Sequence, residues 1–445
     1  MADPAGGRFT PRCSTALLPT LRPYPAGALR HDLSAGLVLT AMLVPVGMSY
    51  AEAAGLPAIT GLYASLVPLV VYALLGTSRL LVLGPDSALA GMIATALLPW
   101  TRLDPALALP LAAMLALMTG TLCVLAGCLR LGFVTDLLSR PIRLGYLMGI
   151  ALTMLMTQTP KLLGLSLPPQ SLWTTLLQTL QALQQGQALH PAALTGGLTL
   201  LVILILQHWC PRWPAILIGL LAGSTLALGM GWSHSGQLAV VGTLPSGLPQ
   251  LLWPQVSLAQ ALSLGGSALA IALVAFADMS VLSRTYAQRL SQPSRTNREL
   301  IALGAANLAT GLAQGFPITS SASRTPVAEL AGARTQLTGL VAALGIALCL
   351  WLGTGWFEHI PRSTLAAVIV AASLGLMDWK GLAQLYRLRR SEFLVALACV
   401  LGVLVYGVVQ GIFIALGVAT GLFMWRACKP YDAVLGRIDG VKGYH

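Results

Sequence analysis

Four carboxylates stand inside long apolar stretches, where an ionised group is costly and by default marks function. Glu52 lies in Met48-Ser49-Tyr50-Ala51-Glu52-Ala53-Ala54-Gly55, and Asp86 follows Leu83-Gly84-Pro85. Asp278 stands in Ala275-Phe276-Ala277-Asp278-Met279-Ser280, and Glu329 comes four residues after Thr325. Asp278 is the strongest of the four. Apolar residues precede it for more than a helical turn, so its charge needs a proton, a cation or a basic partner. It therefore reads as a proton carrier or cation ligand, against a plainer role in a buried salt bridge with Arg324 or Arg334. Sodium would need several hard oxygen ligands. Leu282, one turn on, offers none, which points to protons. Glu52 is close to the end of its stretch, so proton coupling and simple solvation both stay open.

Asp86 and Arg324 stand near the heads of two short segments. One begins after Leu83-Gly84-Pro85 and runs Asp86-Ser87-Ala88-Leu89-Ala90-Gly91. The other begins after Gly315-Phe316-Pro317 and runs Thr319-Ser320-Ser321-Ala322-Ser323-Arg324-Thr325. A proline breaker followed by small hydroxyl or acidic residues is a helix N-terminus. Such a terminus presents unpaired N–H groups and about half a positive charge. Two of them meeting at membrane depth would bind an anion, with Arg324 as a direct ligand or as the counterweight to an acid. The plainer alternative is packing helices with small-residue contacts. Asp86 caps its helix, yet its charge would repel an anion unless it is protonated or points away.

Other chemistry is missing from the sequence. The seven cysteines (Cys13, Cys123, Cys128, Cys210, Cys349, Cys399 and Cys428) are scattered and have no metal-ligand spacing. The histidines (His31, His190, His208, His234, His359, His445) fall at segment ends or in joints. No nucleophile elbow, phosphate loop or metal cluster occurs. An enzyme, a cofactor and a bound metal are therefore not expected.

The elements that must hold these residues follow from composition. The 445 residues are 56% hydrophobic and 9% charged, with a mean hydropathy of +0.78. A soluble domain carries about 25% charged residues, so a soluble, disordered or disulfide-stapled protein is excluded. The pattern predicts spans over 33–55, 58–76, 86–100, 105–128, 138–158, 192–208, 213–231, 264–290, 298–314, 320–332, 335–356, 361–377, 391–407 and 409–426. The third and tenth of these fourteen are short and broken. Paired broken spans in matching positions of two halves point to an inverted-repeat transporter and its site. The joint from Lys161 to His190 contains an amphipathic stretch suited to a membrane surface. The joint 233–262, with Pro245, Pro249 and Pro254, reads as a structured outer loop.

The net charge is +12, and the basic residues sit in short joints: Arg22 and Arg30, Arg140 and Arg143, Arg284 to Arg298, Arg387 to Arg390. That is a topology signal rather than a nucleic-acid surface. It places the arm 1–32 in the cytoplasm. No cleavable signal peptide is evident, because the first apolar run continues into further spans.

Several motifs resemble the sulfate permease (SulP, solute carrier 26) family of anion transporters, in its prokaryotic form. They are Val44-Pro45-Val46-Gly47-Met48-Ser49-Tyr50-Ala51, then Pro57-Ala58-Ile59-Thr60-Gly61-Leu62-Tyr63 through Pro68, and Tyr72-Ala73-Leu74-Leu75-Gly76-Thr77-Ser78 with Gly84-Pro85. Asn297-Arg298-Glu299-Leu300-Ile301-Ala302 through Asn307 resembles the ninth-span entry, and Ser323-Arg324-Thr325 with Ala331-Gly332-Ala333-Arg334-Thr335 the tenth-span motif. The resemblance implies an all-α polytopic protein of fourteen transmembrane segments in two inverted seven-helix repeats. Its transport domain, 33–427, would divide into a core (about 33–130 and 264–356) and a gate (about 138–231 and 361–427). The core would move against the gate like an elevator. Carried over, the substrate pocket would comprise Val46, Tyr50, Asp86, Ser87, Ala322, Ser323 and Arg324, with Asp278 beside them. The coupling residues would be Asp278 and Glu52.

Three departures bear on substrate. Val46 stands where the family usually has glutamine, and Asp278 where many relatives have glutamate. The family usually continues into a cytoplasmic STAS domain, whereas residues 428–445 look like a linker toward it and Gly443-Tyr444-His445 reads as interrupted. The expectation is a secondary active anion transporter: proton-coupled symport of a small oxyanion or dicarboxylate, sulfate or fumarate-like. It would sit multi-pass in a bacterial inner membrane, both termini cytoplasmic, as a homodimer at full length, with no nucleic-acid partner. The alternatives are an uncoupled anion channel, a chloride/bicarbonate exchanger, or a nucleobase–proton symporter of similar architecture. Arg324 argues against the last.

Overall fold

The structure is a computed structural model describing residues 27–132, 139–165, 172–185, 190–210, 213–232, 238–242, 247–289, 295–321, 324–352 and 358–428. It is a helical bundle. In a bilayer, backbone polar groups must bond within their own segment, so apolar sequence becomes helix. The helices are α1 (Ala28–Ala53), α2 (Ala58–Leu75), α3 (Ser87–Thr101), α4 (Ala108–Cys128), α5 (Arg140–Leu162), α6 (Leu172–Gln184), α7 (His190–Trp209), α8 (Ala215–Gly229) and α9 (Leu258–Ser263). They continue with α10 (Gly265–Arg289), α11 (Thr296–Leu312), α12 (Arg324–Leu330), α13 (Leu337–Leu352), α14 (Arg362–Leu376), α15 (Trp379–Leu388), α16 (Arg390–Tyr406) and α17 (Val408–Ala427). Each segment expected to be apolar and helical holds a helix. Among the described residues, six helical stretches are long and apolar enough to cross a membrane by length and composition. Four more apolar helices, Ser87–Thr101, Ala215–Gly229, Leu337–Leu352 and Gln410–Trp425, are shorter. Leucines and aromatics point outward on many of them, including Leu201 and Leu204 on α7 and Phe423 and Trp425 on α17. That suits lipid as solvent and would not suit water.

The helices pack in two groups. The first comprises α1 to α4 with α10 to α13, and the second α5, α7, α8, α14, α16 and α17. Within the first group glycines let backbones touch: a Cβ on Gly61 of α2 would overlap the Gly47 carbonyl oxygen of α1. In lipid this close packing replaces a hydrophobic driving force between helices. The groups meet where α1 packs on α8 and α14, α3 on α5, and α10 on α17.

Two short strands interrupt the bundle. β1 (Leu83–Gly84) and β2 (Thr319–Ser320) pair antiparallel, Leu83 opposite Ser320 and Gly84 opposite Thr319. They precede α3 and α12, so each broken segment supplies the hydrogen bonds the other lacks. Non-helical backbone at this depth survives only when enclosed by protein. Asn307 of α11 clamps Ile318, its Oδ1 accepting from the Ile318 amide at 2.9 Å and its Nδ2 donating to the Ile318 carbonyl at 3.1 Å. Gln336 Nε2 donates to the Ser78 and Leu81 carbonyls, each at 2.9 Å. Thr319 Oγ1 donates to the Ala275 carbonyl of α10 at 2.7 Å.

Four features differ from or extend the sequence reading. α1 begins at Ala28 rather than near 33, and Asp32, read as part of the arm, is buried within it. Its carboxylate accepts from the amides of Arg334 and Thr335, at 2.7 and 3.1 Å, and from the hydroxyls of Thr335 and Thr338. Asp32 thus anchors the turn that leads into α13 from another helix. Glu299 is, with Asp32, a second buried acid beyond the four singled out from sequence, held by the Tyr72 hydroxyl at 2.8 Å, by Thr77, and by Ser283 at 3.4 Å. α15 occupies the joint between two expected spans, with Trp379, Tyr386 and Leu388 outward, as an interfacial helix would have them. α6 turns Trp173, Leu177 and Leu180 outward and buries Thr175 and Thr179, a fit to the amphipathic reading of its joint.

Candidate functional site

The crossing of β1 and β2 places the heads of α3 and α12 together. Asp86 caps α3, its Oδ1 accepting from the Ala88 amide at 3.0 Å. Ser87, the first residue of α3, is 6% exposed. Arg324 opens α12 and is 1% exposed. Among the described residues none of its three guanidinium nitrogens has a hydrogen-bond partner. Its backbone amide donates to Ser321 Oγ at 3.3 Å. Gly84, at φ +154°, lies beneath the guanidinium, and a Cβ there would come within 3.4 Å of Nη1. Glycine therefore lets the strand pass close under the charge.

Tyr50 comes to the same place from α1. It is buried, lies against Ser87, and its hydroxyl feels the charges of Asp86 and Arg324. Asp86 and Arg324 act on each other, and Asp86 also lies against Ser321. Val46 is buried one turn before Tyr50. Pro45 sits inside α1 beside it, and the ring removes one backbone donor from the helix there. Ala322 and Ser323 lie outside the described residues. Of the expected pocket, Tyr50, Asp86, Ser87 and Arg324 converge, and Val46 lies next to them.

The two coupling candidates are placed apart. Asp278 of α10 belongs to the flank of the cluster, within electrostatic reach of Asp86. Its partner is neither Arg324 nor Arg334, the two considered from sequence, but Arg143 of α5, Nε 3.5 Å from Oδ1. The Tyr146 hydroxyl donates to the same oxygen at 3.2 Å. Arg334 instead gives its amide to Asp32. Glu52 faces another direction, toward Arg362 at 3.8 Å and toward Lys161. Glu329 accepts from the Tyr286 hydroxyl at 2.8 Å. Sequence reasoning passed over Arg143 and Tyr146. Their spacing of three residues, which puts both on one helix face, was the available signal.

A desolvated guanidinium with no hydrogen-bond partner costs several kcal/mol unless an anion meets it. Three sides of it are already shaped by a tyrosine, a helix cap and bare strand backbone. Such a place serves a protein that must take an anion out of water and hand it back, which is a membrane transporter of anions rather than an enzyme. The chain belongs to the sulfate permease family, whose sequence profile matches residues 29–424. It is a multi-pass membrane protein of that anion-transporting family. A protein described as a probable sulfate transporter of Mycobacterium tuberculosis is 39% identical over 95% of this chain and 75% of its own length. Among solved structures, murine solute carrier 26 family member A9 in its inward-facing state matches with a TM-score of 0.88 at 21% identity, over 100% of this chain and 79% of the other. The transmembrane domain of a cyanobacterial bicarbonate transporter matches with a TM-score of 0.73 at 21% identity, over 88% of this chain and 98% of that domain. These likenesses establish the fold.

Proposed function

We propose that the chain is a secondary active, proton-coupled symporter of a small oxyanion or dicarboxylate. Its first helix group acts as the moving core, and its second as the gate, in fourteen spans arranged as two inverted repeats. The observation that carries this reading is Arg324: fully buried, without a hydrogen-bond partner among the described residues, at the crossing of the two broken segments. Its planar fork matches the paired oxygens of sulfate or a carboxylate. Val46, a buried apolar residue beside the cluster, offers no hydrogen bond to a further oxygen and suits a carbon skeleton, so fumarate stands beside sulfate. The Mycobacterium relative's description supports sulfate.

A specific observation favours a second reading. Asp278 is held by Arg143 and Tyr146, as an acid with a fixed structural partner would be. On that reading the protein exchanges anions without proton coupling, and bicarbonate becomes a candidate, as in the name of one structural relative. Uptake of labelled sulfate, fumarate and bicarbonate into proteoliposomes separates the two. Accumulation of one anion only under an inward proton gradient is expected. Equal filling with and without gradients of protons or sodium would overturn symport in favour of an anion channel or exchanger.

A further inference from the structure

Asp278 belongs to one helix group and its partners to the other. Arg143 and Tyr146 lie on one face of α5, and both engage Oδ1 of Asp278. The Tyr146 side chain is buried, while those of Arg143 and Asp278 are 31% and 14% exposed, at the edge of where water can enter. The charged or titratable groups that act on Asp278 are Arg143, Tyr146 and, from the head of α3, Asp86. The other packed elements add none: α4, α9 and β2 carry no charged residue, and α17 has only Arg426, in its last turn. α11 carries Arg298 and Glu299 in its first turn; neither is among the groups that act on Asp278, and Glu299 is occupied by Tyr72, Thr77 and Ser283.

A guanidinium keeps its proton at all working pH values, so Arg143 cannot relay one. It can only choose which form of Asp278 it meets. A carboxylate gains a charge-assisted contact from it, and a neutral carboxyl gains much less. Proton and ion pair therefore compete for the same carboxyl. We propose that Arg143 is the displacing counterion of Asp278, the residue that discharges the coupling proton once per cycle. When the Asp278 and Arg143 side chains meet, as in this structure, the O–H bond of the Asp278 carboxyl breaks and the proton leaves to water. The carboxylate then pairs with the guanidinium, which stays protonated throughout. When the groups slide apart, Asp278 loses that partner and binds a proton again. Tyr146, donating to the same oxygen, acts as a positioning residue for the ionised form. The inference rests on the proton-symport reading of this site.

The test compares wild type, Arg143→Gln, Arg143→Lys and Tyr146→Phe in proteoliposomes, with labelled sulfate and labelled fumarate as probes. Exchange with the same anion on both sides requires no net proton release, whereas accumulation under an inward proton gradient requires it. Arg143→Gln is expected to keep exchange, with its KM unchanged, and to lose accumulation by about tenfold or more, the scale of one charged hydrogen bond. Arg143→Lys should recover much of it, and Tyr146→Phe should fall between. Retained exchange shows that the variants are folded. Accumulation by Arg143→Gln equal to wild type would overturn the inference while leaving symport standing. Equal loss of exchange and accumulation, or a raised exchange KM, would also overturn it and make Arg143 a packing or substrate residue. A wild type that exchanges but never accumulates under a proton gradient would remove the symport reading and this inference with it.

Discussion

Arg324 sets the demand that the other residues of the site answer. A guanidinium 1% exposed has given up its hydration, and no protein acceptor among the described residues replaces it. The bound anion should therefore contribute charged hydrogen bonds worth about 1.5–3 kcal/mol each. Arg324→Ala should raise the KM of uptake by about ten- to a hundredfold, since 1.4 kcal/mol is tenfold. Arg324→Lys should recover only part, because a point charge cannot grip two oxygens side by side. Uptake kinetics check both, and an unchanged KM in the alanine variant would remove Arg324 from the site. Asp278→Asn should abolish accumulation under a proton gradient and leave the protein folded. Full accumulation by that variant would end its role as proton carrier. Asp86, Ser87 and Arg324 were legible in the sequence because a proline, a cap and a buried charge each leave a local mark. Arg143 was not. Near a span end an arginine reads as a topology signal, and only the packing of α5 on the first helix group makes it the partner of Asp278.

At the scale of elements, the site depends on two broken segments being held at one place. Asn307 holds β2 by both polar ends of one amide, and Gln336 holds the approach to β1 by its Nε2. Asn307→Leu keeps the bulk but strands the amide and carbonyl of Ile318 in a buried place. Each buried group left unpaired costs about 1–3 kcal/mol, so the variant should lose about 2–4 kcal/mol of stability. Its melting temperature in detergent should fall and its uptake should fall with it. Wild-type melting would show that the strand crossing holds without the clamp. The helices themselves were legible, since apolar length and proline breakers are local properties. The strand pair was not, because a ladder of two residues per strand has no period to read. The anchoring of the turn before α13 by Asp32 escaped for a related reason: its partners lie about 300 positions away in the chain. α15 was missed because ten residues with two basic ones look like a joint until their apolar face is seen outward.

The whole molecule adds a constraint that no single helix shows. α5 carries Arg143 near its start and Lys161 near its end, eighteen residues apart, or about 27 Å along a helix. Near the start, the second helix group contacts Asp278 of the first. Near the end, Lys161 and Arg362 of the second group face Glu52 of the first. The two groups are thus joined by an acid–base contact at each end of a helix about as long as a bilayer is thick. Sliding of one group by a turn of helix, about 5.4 Å, exceeds the reach of either contact. Transport by such sliding must break both contacts in every cycle, and a lock at either end must stop it. A cysteine pair at Glu52 and Arg362, in a background without the native cysteines, tests this directly. Bridging the pair with a short bifunctional thiol reagent should reduce uptake to background. A cleavable version of the reagent should restore uptake when it is reduced. The single cysteine variants should be indifferent to the reagent, because one thiol gives it nothing to bridge. Undiminished uptake with the bridge fully formed would mean that the first group does not move against the second near α14, and the substrate would have to reach both sides of the membrane past a static core.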